Sequence, residues 1–123
     1  AKENDVNLEF INTDILDYKS DKKYDIIVSN PPYVIGEEKK HMSKNVLDYE
    51  PELALFVVDN NPLLYYKAIL EFAKTSLNKN GKIYFEINEK YNQEIIDLAN
   101  YFGYSNVDCS KDIFEKNRFC VIF

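Results

Sequence analysis

Glycine is scarce in this 123-residue chain: Gly36, Gly81 and Gly103 are the only three, and none is adjacent to another. A glycine-rich phosphate-binding or dinucleotide-binding loop is therefore excluded within it. There is one histidine, His41, and there are two cysteines, Cys109 and Cys120, with no C-x-x-C pair. That rules out a zinc cluster, and the spacing gives no sign of a disulfide framework. Cys120 sits in the apolar run "FCVIF" and reads as a core residue. No apolar stretch approaches the roughly 20 residues of a membrane helix, and no signal peptide is visible. These absences predict a soluble, cytoplasmic protein without a metal centre.

Basic residues are also the minority, 15 Lys and Arg against 21 Asp and Glu, for a net charge of −6. A nucleic-acid binder needs a basic stripe to displace counterions from phosphate, and none is visible. The cluster "EEKKH" mixes signs and reads as a solvated loop. The balance points to an acidic protein partner or a small substrate rather than to DNA. Apolar residues make up 46% and aromatics 15%, enough for one globular domain with a core.

The pattern along the chain is α/β. "LEFINTDIL" alternates at Leu8 and Phe10 and predicts a short strand, followed by turn chemistry from Asn12 to Asp14. "YDIIVS", residues Tyr24–Ser29, is apolar without alternation, as in a strand covered on both faces of a parallel sheet. Residues 31–61 form a long irregular stretch of mixed charge, of the kind that is functional or disordered. Asn61 and Pro62 then open a helix with Leu63, Tyr66, Ile69, Leu70, Ala73 and Leu77 on one stripe, ended by "NKNG" at Gly81. "KIYFEI" predicts a second buried strand. A second helix is expected over residues 91–102, stopped by Gly103. "SNVDC" and "RFCVIF" complete the set as strands. Strands alternating with helices imply a largely parallel sheet with right-handed crossovers.

One stretch carries chemistry. In "VSNPPYV" a strand stops at Asn30, which is followed by Pro31, Pro32 and Tyr33. Each proline lacks an N–H and has a locked φ, so neither continues the strand. Asn30, preceding a proline, is held extended. Ligands of open α/β sheets sit beyond the carboxyl ends of the strands, where this corner lies. It offers an amide oxygen, backbone carbonyls without local donors and an aromatic face. Such a corner suits an uncharged –NH2 group on a planar π-system, held with its lone pair toward an electrophile. An ordinary turn at a strand end is the competing reading.

"SNPPYV" after an apolar strand resembles the catalytic N/D-P-P-Y/F motif of S-adenosylmethionine-dependent amino-methyltransferases. "LDYEPELALF", residues 47–56, resembles the Y/F-E-P-x-x-A-L segment of the HemK/PrmC-type glutamine N5-methyltransferases, which modify peptide chain release factors. "GKIYFEI" and "SKDIFEKNRFCVIF" resemble that family's glycine–strand–glutamate segment and closing strand pair. The resemblance covers essentially the whole chain. It implies a Rossmann-like class I methyltransferase fold, with a mostly parallel sheet and an antiparallel C-terminal strand.

Residue by residue, the resemblance implies that Asn30 is catalytic and that Asn30, Pro31, Pro32 and Tyr33 hold the substrate amide, with Glu50 fixing the substrate loop. Asp14, Ile15 and Asn30 fall where the family contacts its cofactor, S-adenosylmethionine. A turn-forming role for Asp14 and a structural salt bridge for Glu50 stay open, as do a strand-end role for Glu86 and a loop-anchor role for Arg118. The family's glycine-rich loop, the acidic residue after its next strand and its helical substrate domain have no counterpart here. Residues 1–123 are therefore expected to be the C-terminal portion of the catalytic domain, truncated at its N-terminal half. As such a fragment it is expected to bind cofactor weakly or not at all, to be inactive alone, and to leave one sheet face uncovered. It would then form a homodimer across the open edge or move the Leu8 strand to a new partner. The expected partner is a release factor, with no membrane and no direct nucleic-acid substrate. Adenine N6 methylation of nucleic acid and a non-catalytic interaction fragment are the alternatives.

Overall fold

The computed structural model describes residues 4–32 and 61–123. Among the described residues four strands and two helices follow in the order β1 (Tyr24–Ser29), α1 (Leu64–Ser76), β2 (Leu77–Glu86), α2 (Asn92–Tyr101), β3 (Val107–Lys111) and β4 (Asn117–Ile122), with a 3-10 turn over Glu89–Tyr91 before α2. The sheet order is β1-β2-β4-β3. β1 and β2 run parallel, whereas β4 is antiparallel to both β2 and β3. One parallel crossover through α1, closed by a C-terminal antiparallel pair, is the Rossmann-like arrangement.

The core follows from alternation along β2. Ile83, Phe85 and Ile87 point to one face and are buried, together with Cys120 and Ile122 of β4. Against them pack Tyr66, Ile69, Leu70 and Ala73 of α1 and Ile95 and Ala99 of α2. The α1 residues fall at helical spacing, so one turn after another presents an apolar side chain to the sheet. Tyr66 meets Phe85 edge to face at 5.1 Å. Its hydroxyl donates to the Glu86 carbonyl at 2.9 Å, which keeps the polar end of a fully buried ring satisfied.

The helix ends obey local chemistry. Leu63 N–H donates to Asn61 Oδ1 and Leu64 N–H to the Asn61 carbonyl, so Asn61 and Pro62 form a turn leading into α1; the N-cap itself is Leu63, with no side-chain cap, and the helix opens two residues later than expected. At the end of α2, Gly103 adopts φ 90°. Its N–H donates to Asn100 O, and Tyr104 N–H reaches Ala99 O. That is a left-handed glycine stop.

Four expectations require correction. Residues 6–13, including Leu8 and Phe10, form no strand: Phe10 is 89% exposed, and no backbone ladder joins this segment to β1 among the described residues. Alternation over so few residues does not hold a strand without a hydrogen-bonded neighbour. α1 ends at Ser76 rather than at Gly81, and β2 begins at once. The turn chemistry of "NKNG" appears instead as a register break, Tyr24 pairing with Leu77 but Ile26 with Lys82. β1 is not covered on both faces: Val28 is 75% exposed and Ile26 is exposed beside it, with Tyr84 and Phe119 on the same open face. Both helices feed the core on the other face. The cysteines, finally, are joined: Cys109 and Cys120 are register partners on β3 and β4, with Cα atoms 4.1 Å apart and a disulfide between them. Spacing in the chain could not show this, because the hairpin register creates the proximity. Under reducing conditions the same two side chains would pack as small apolar thiols.

The β3–β4 turn is organised by Asp112. Its Oδ1 accepts from Phe114 N–H at 2.8 Å and from Lys116 N–H at 3.1 Å, and its Oδ2 accepts from Arg118 Nε at 3.4 Å. Partial burial pushes the carboxyl pKa up. The amides of Lys116 and Phe114 and the Arg118 guanidinium outweigh that and hold it below the usual carboxylate range. A depressed folded pKa means that the turn's contribution is present above about pH 4 and is lost as pH falls through the lower folded value. An NMR titration of the Phe114 amide should therefore show a midpoint below the ~3.9 of a free Asp. A midpoint at or above that value would contradict the hydrogen bonding described.

Gly81 lets β1 and β2 approach. A Cβ there would lie 2.7 Å from Leu77 Cδ1 and 2.9 Å from the Asp25 carbonyl oxygen. The leucine tip can swing away, but the backbone oxygen cannot. Gly81→Ala should lower unfolding stability by about 1–3 kcal/mol in denaturant titrations, the usual range for overpacking. A neutral result would mean that the strands separate freely.

Candidate functional site

The parallel register puts Ser29 opposite Phe85, so β1 delivers Asn30 to the carboxyl rim of the sheet. Asn30 is exposed there, Pro31 is buried and Pro32 is half-buried. A buried ring beside an exposed amide makes a braced corner: the proline is gripped by the protein while the asparagine head remains available. The corner borders a cleft of about 750 Å³ lined by residues 12–15, by residues 27–32, and by Tyr65, Ile69 and Phe72 of α1. This volume falls within the span of small-molecule sites.

The far wall is a turn. Asp14 Oδ1 accepts from Leu16 N–H at 3.0 Å, and Asp17 N–H donates to the Asp14 carbonyl at 3.2 Å. Asp14 therefore forms its turn through its own side chain, as short acidic residues at loop starts do. The residues preceding β1 are tied down at several points. Lys22 pairs with Glu9, and Lys23 donates to the Thr75 carbonyl at the end of α1. The Glu9 hydrogen bond, followed by its charge, raises the Lys22 pKa. Phe72 packs between the rings of Tyr18 and Tyr24, at centroid distances of 5.4 and 6.0 Å, so the wall rests on α1.

Of the residues singled out from the sequence, Asp14, Ile15, Asn30, Pro31 and Pro32 line this one cleft. Tyr33 and Glu50 lie outside the described residues. Glu86 is half-buried at the end of β2, with its carbonyl taken by Tyr66. Arg118 reaches the Asp112 carboxylate and so anchors the hairpin turn. Sequence reasoning missed Asn12, Thr13, Tyr65 and Phe72 as lining residues. Tyr65, Ile69 and Phe72 recur at helical spacing next to the core stripe, and that periodicity was the available signal. Among the described residues no group of three His, Cys, Asp or Glu side chains could hold a metal ion, and no helix is long and apolar enough to cross a membrane.

The chain is similar to known proteins. The model of the methyltransferase small domain matches residues 1–52. The release factor glutamine methyltransferase of Flavobacterium psychrophilum is 47% identical over 116 residues, 94% of this chain and 41% of that protein. Its counterpart in Bacteroides thetaiotaomicron is 54% identical over 95 residues, 77% of this chain and 34% of the relative. That of Lactococcus lactis is 44% identical over 119 residues, or 96% and 43%. The chain belongs to the release factor glutamine methyltransferase family. It spans between about a third and two-fifths of the length of these three relatives. The mixed sheet of the described residues, with its two helices, is that of a truncated Rossmann-like fold, in keeping with a methyltransferase domain.

Proposed function

We propose that this chain carries the acceptor corner of a protein that methylates the side-chain amide nitrogen of a glutamine in a peptide chain release factor, in the cytoplasm. The observation that supports this most directly is the shared cleft: Asn30 and the two prolines stand on one wall, Asp14 and Ile15 on another. S-adenosylmethionine would supply an electrophilic methyl on a positively charged sulfur. The cleft fits its adenosyl end, with Ile15 and Ile27 offering apolar surface and Asp14 a polar edge. The chain has no glycine-rich loop for the remainder of that molecule. Residues 1–123 read best as the C-terminal portion of the catalytic domain.

Asn30 Oδ1 and the Pro31 carbonyl each accept one N–H of the substrate amide in this reading; the stacking role of Tyr33, which lies outside the described residues, is carried by the resemblance alone. Held this way, the amide nitrogen would be turned toward the cleft. S-adenosylmethionine, when bound beside Asp14 and Ile15, would supply the methyl group and leave as a neutral thioether, the proton of the alkylated nitrogen passing to water. No strong base is needed, because the nitrogen becomes acidic once alkylated. Each hydrogen bond contributes about 0.5–1.5 kcal/mol net. Orientation contributes more, drawing on the roughly 7–11 kcal/mol that positioned reactants gain in principle.

In the full-length protein, Asn30→Ala should lower methyl transfer to a release factor by about 10²–10³-fold in kcat, the scale for loss of one orienting polar group. Because Asn30 is exposed, its circular dichroism should be unchanged. A variant with wild-type kcat would remove Asn30 from the reaction. Titration calorimetry of residues 1–123 should give S-adenosylmethionine affinity weaker than about 100 μM, less than ~5.5 kcal/mol of binding. Micromolar affinity would show that the glycine loop is dispensable.

A further inference from the structure

We infer that the tip of the β3–β4 hairpin is a docking finger for the folded protein that presents the acceptor glutamine. This rests on the function proposed above and extends it from the reacting amide to the selection of its carrier.

Ile113 and Phe114 stand side by side at that tip, 90% and 74% exposed. Exposed apolar residues in a loose loop could fold back onto the protein, but this turn is locked. Asp112 N–H donates to Lys116 O at 2.9 Å, Glu115 N–H donates to Asp112 O at 3.1 Å, and the Asp112 carboxylate holds the Phe114 and Lys116 amides. Lys116 also ties the tip to Glu89 at 2.8 Å. The two side chains are thus held out in water before any partner arrives, which lowers the ordering cost of binding.

Register fixes where the finger points. Glu86 pairs with Phe119 and Lys111 with Asn117, so the tip rises from the same rim as Asn30, on the strand beyond β2. Two to three strand spacings put it about 10–14 Å from β1 along that rim. A five-residue peptide centred on Asn30 reaches only about 7 Å to either side, whereas a folded carrier spans both points.

Charge selects the kind of partner. Lys111 pairs with Glu115, Lys116 with Glu89 and Arg118 with Asp112, so the six charged groups around the tip cancel. Among the described residues the three cations at the tip are all paired, which leaves none of them for phosphate from nucleic acid or lipid. Two fixed apolar side chains with a neutral rim match an apolar depression on a protein surface.

The test uses the full-length protein and the double variant Ile113→Ser/Phe114→Ser. Methyl transfer is measured on an intact release factor and on a five-residue peptide around its glutamine. The expected result is a KM for the intact protein raised by about tenfold or more, with kcat unchanged and peptide methylation unaffected. Asp112→Ala, which frees the turn but keeps both apolar side chains, should raise the same KM by a smaller factor. An unchanged KM for the intact protein overturns the inference, as does an equal loss on both substrates. A change of oligomeric state in gel filtration without a change in KM overturns it too, by giving the finger to a second copy. If the parent protein methylates neither substrate, the proposed function itself has failed, an outcome distinct from the others.

Discussion

The parallel pairing of β1 with β2 is the constraint on which the rest depends. It aligns Ser29 with Phe85 and thereby sets the height at which the backbone leaves the sheet at Asn30. Had β1 slipped by one residue, Ile27 and Val28 would exchange faces and the proline corner would move along the rim. The close approach at Gly81, 2.9 Å from a hypothetical Cβ to the Asp25 oxygen, makes that pairing intolerant of a side chain. Asn78 Nδ2 donates to Asp25 Oδ1 at 2.6 Å, a further tie at the register break.

From this register the two features proposed to be functional follow as neighbours. β2 positions β4 through Glu86 and Phe119, and β4 positions the hairpin tip. One sheet edge therefore holds the acceptor corner at β1 and the apolar finger at the β3–β4 turn, with the β2 end between them. The cleft needs α1 as well, because Tyr65 and Phe72 line it together with Ile69, which belongs at the same time to the stripe that fills the core. A single helix thus serves packing on one face and the site on an adjacent one.

Much of this was legible in the residues. The prolines after Asn30 ended β1 where they should, and Gly103 stopped α2, because each effect is set within a few residues; Asn61 with Pro62 made the turn before α1, whose N-cap fell at Leu63. What was not legible depended on distant partners. Leu8 and Phe10 alternate like a strand but have no ladder partner among the described residues, and alternation does not encode one. The apolar run of β1 reads as covered on both faces, yet Ile26 and Val28 face outward in the described structure. Cys109 and Cys120 meet only because the hairpin register sets them opposite each other. Asp14 illustrates a third case: its turn-forming bond to Leu16 is plain in the structure, and it lines the cleft at the same time, so the two readings of that residue do not exclude each other.

The central claim is that a proline-braced asparagine aims a neutral amide nitrogen from the rim of this sheet. A crystal structure of the full-length protein with a glutamine-containing substrate peptide tests it directly. The account predicts the glutamine side-chain nitrogen within about 2.7–3.2 Å of both Asn30 Oδ1 and the Pro31 carbonyl oxygen. A substrate amide bound away from β1, with Asn30 turned to solvent or engaged by the protein's own backbone, would contradict it.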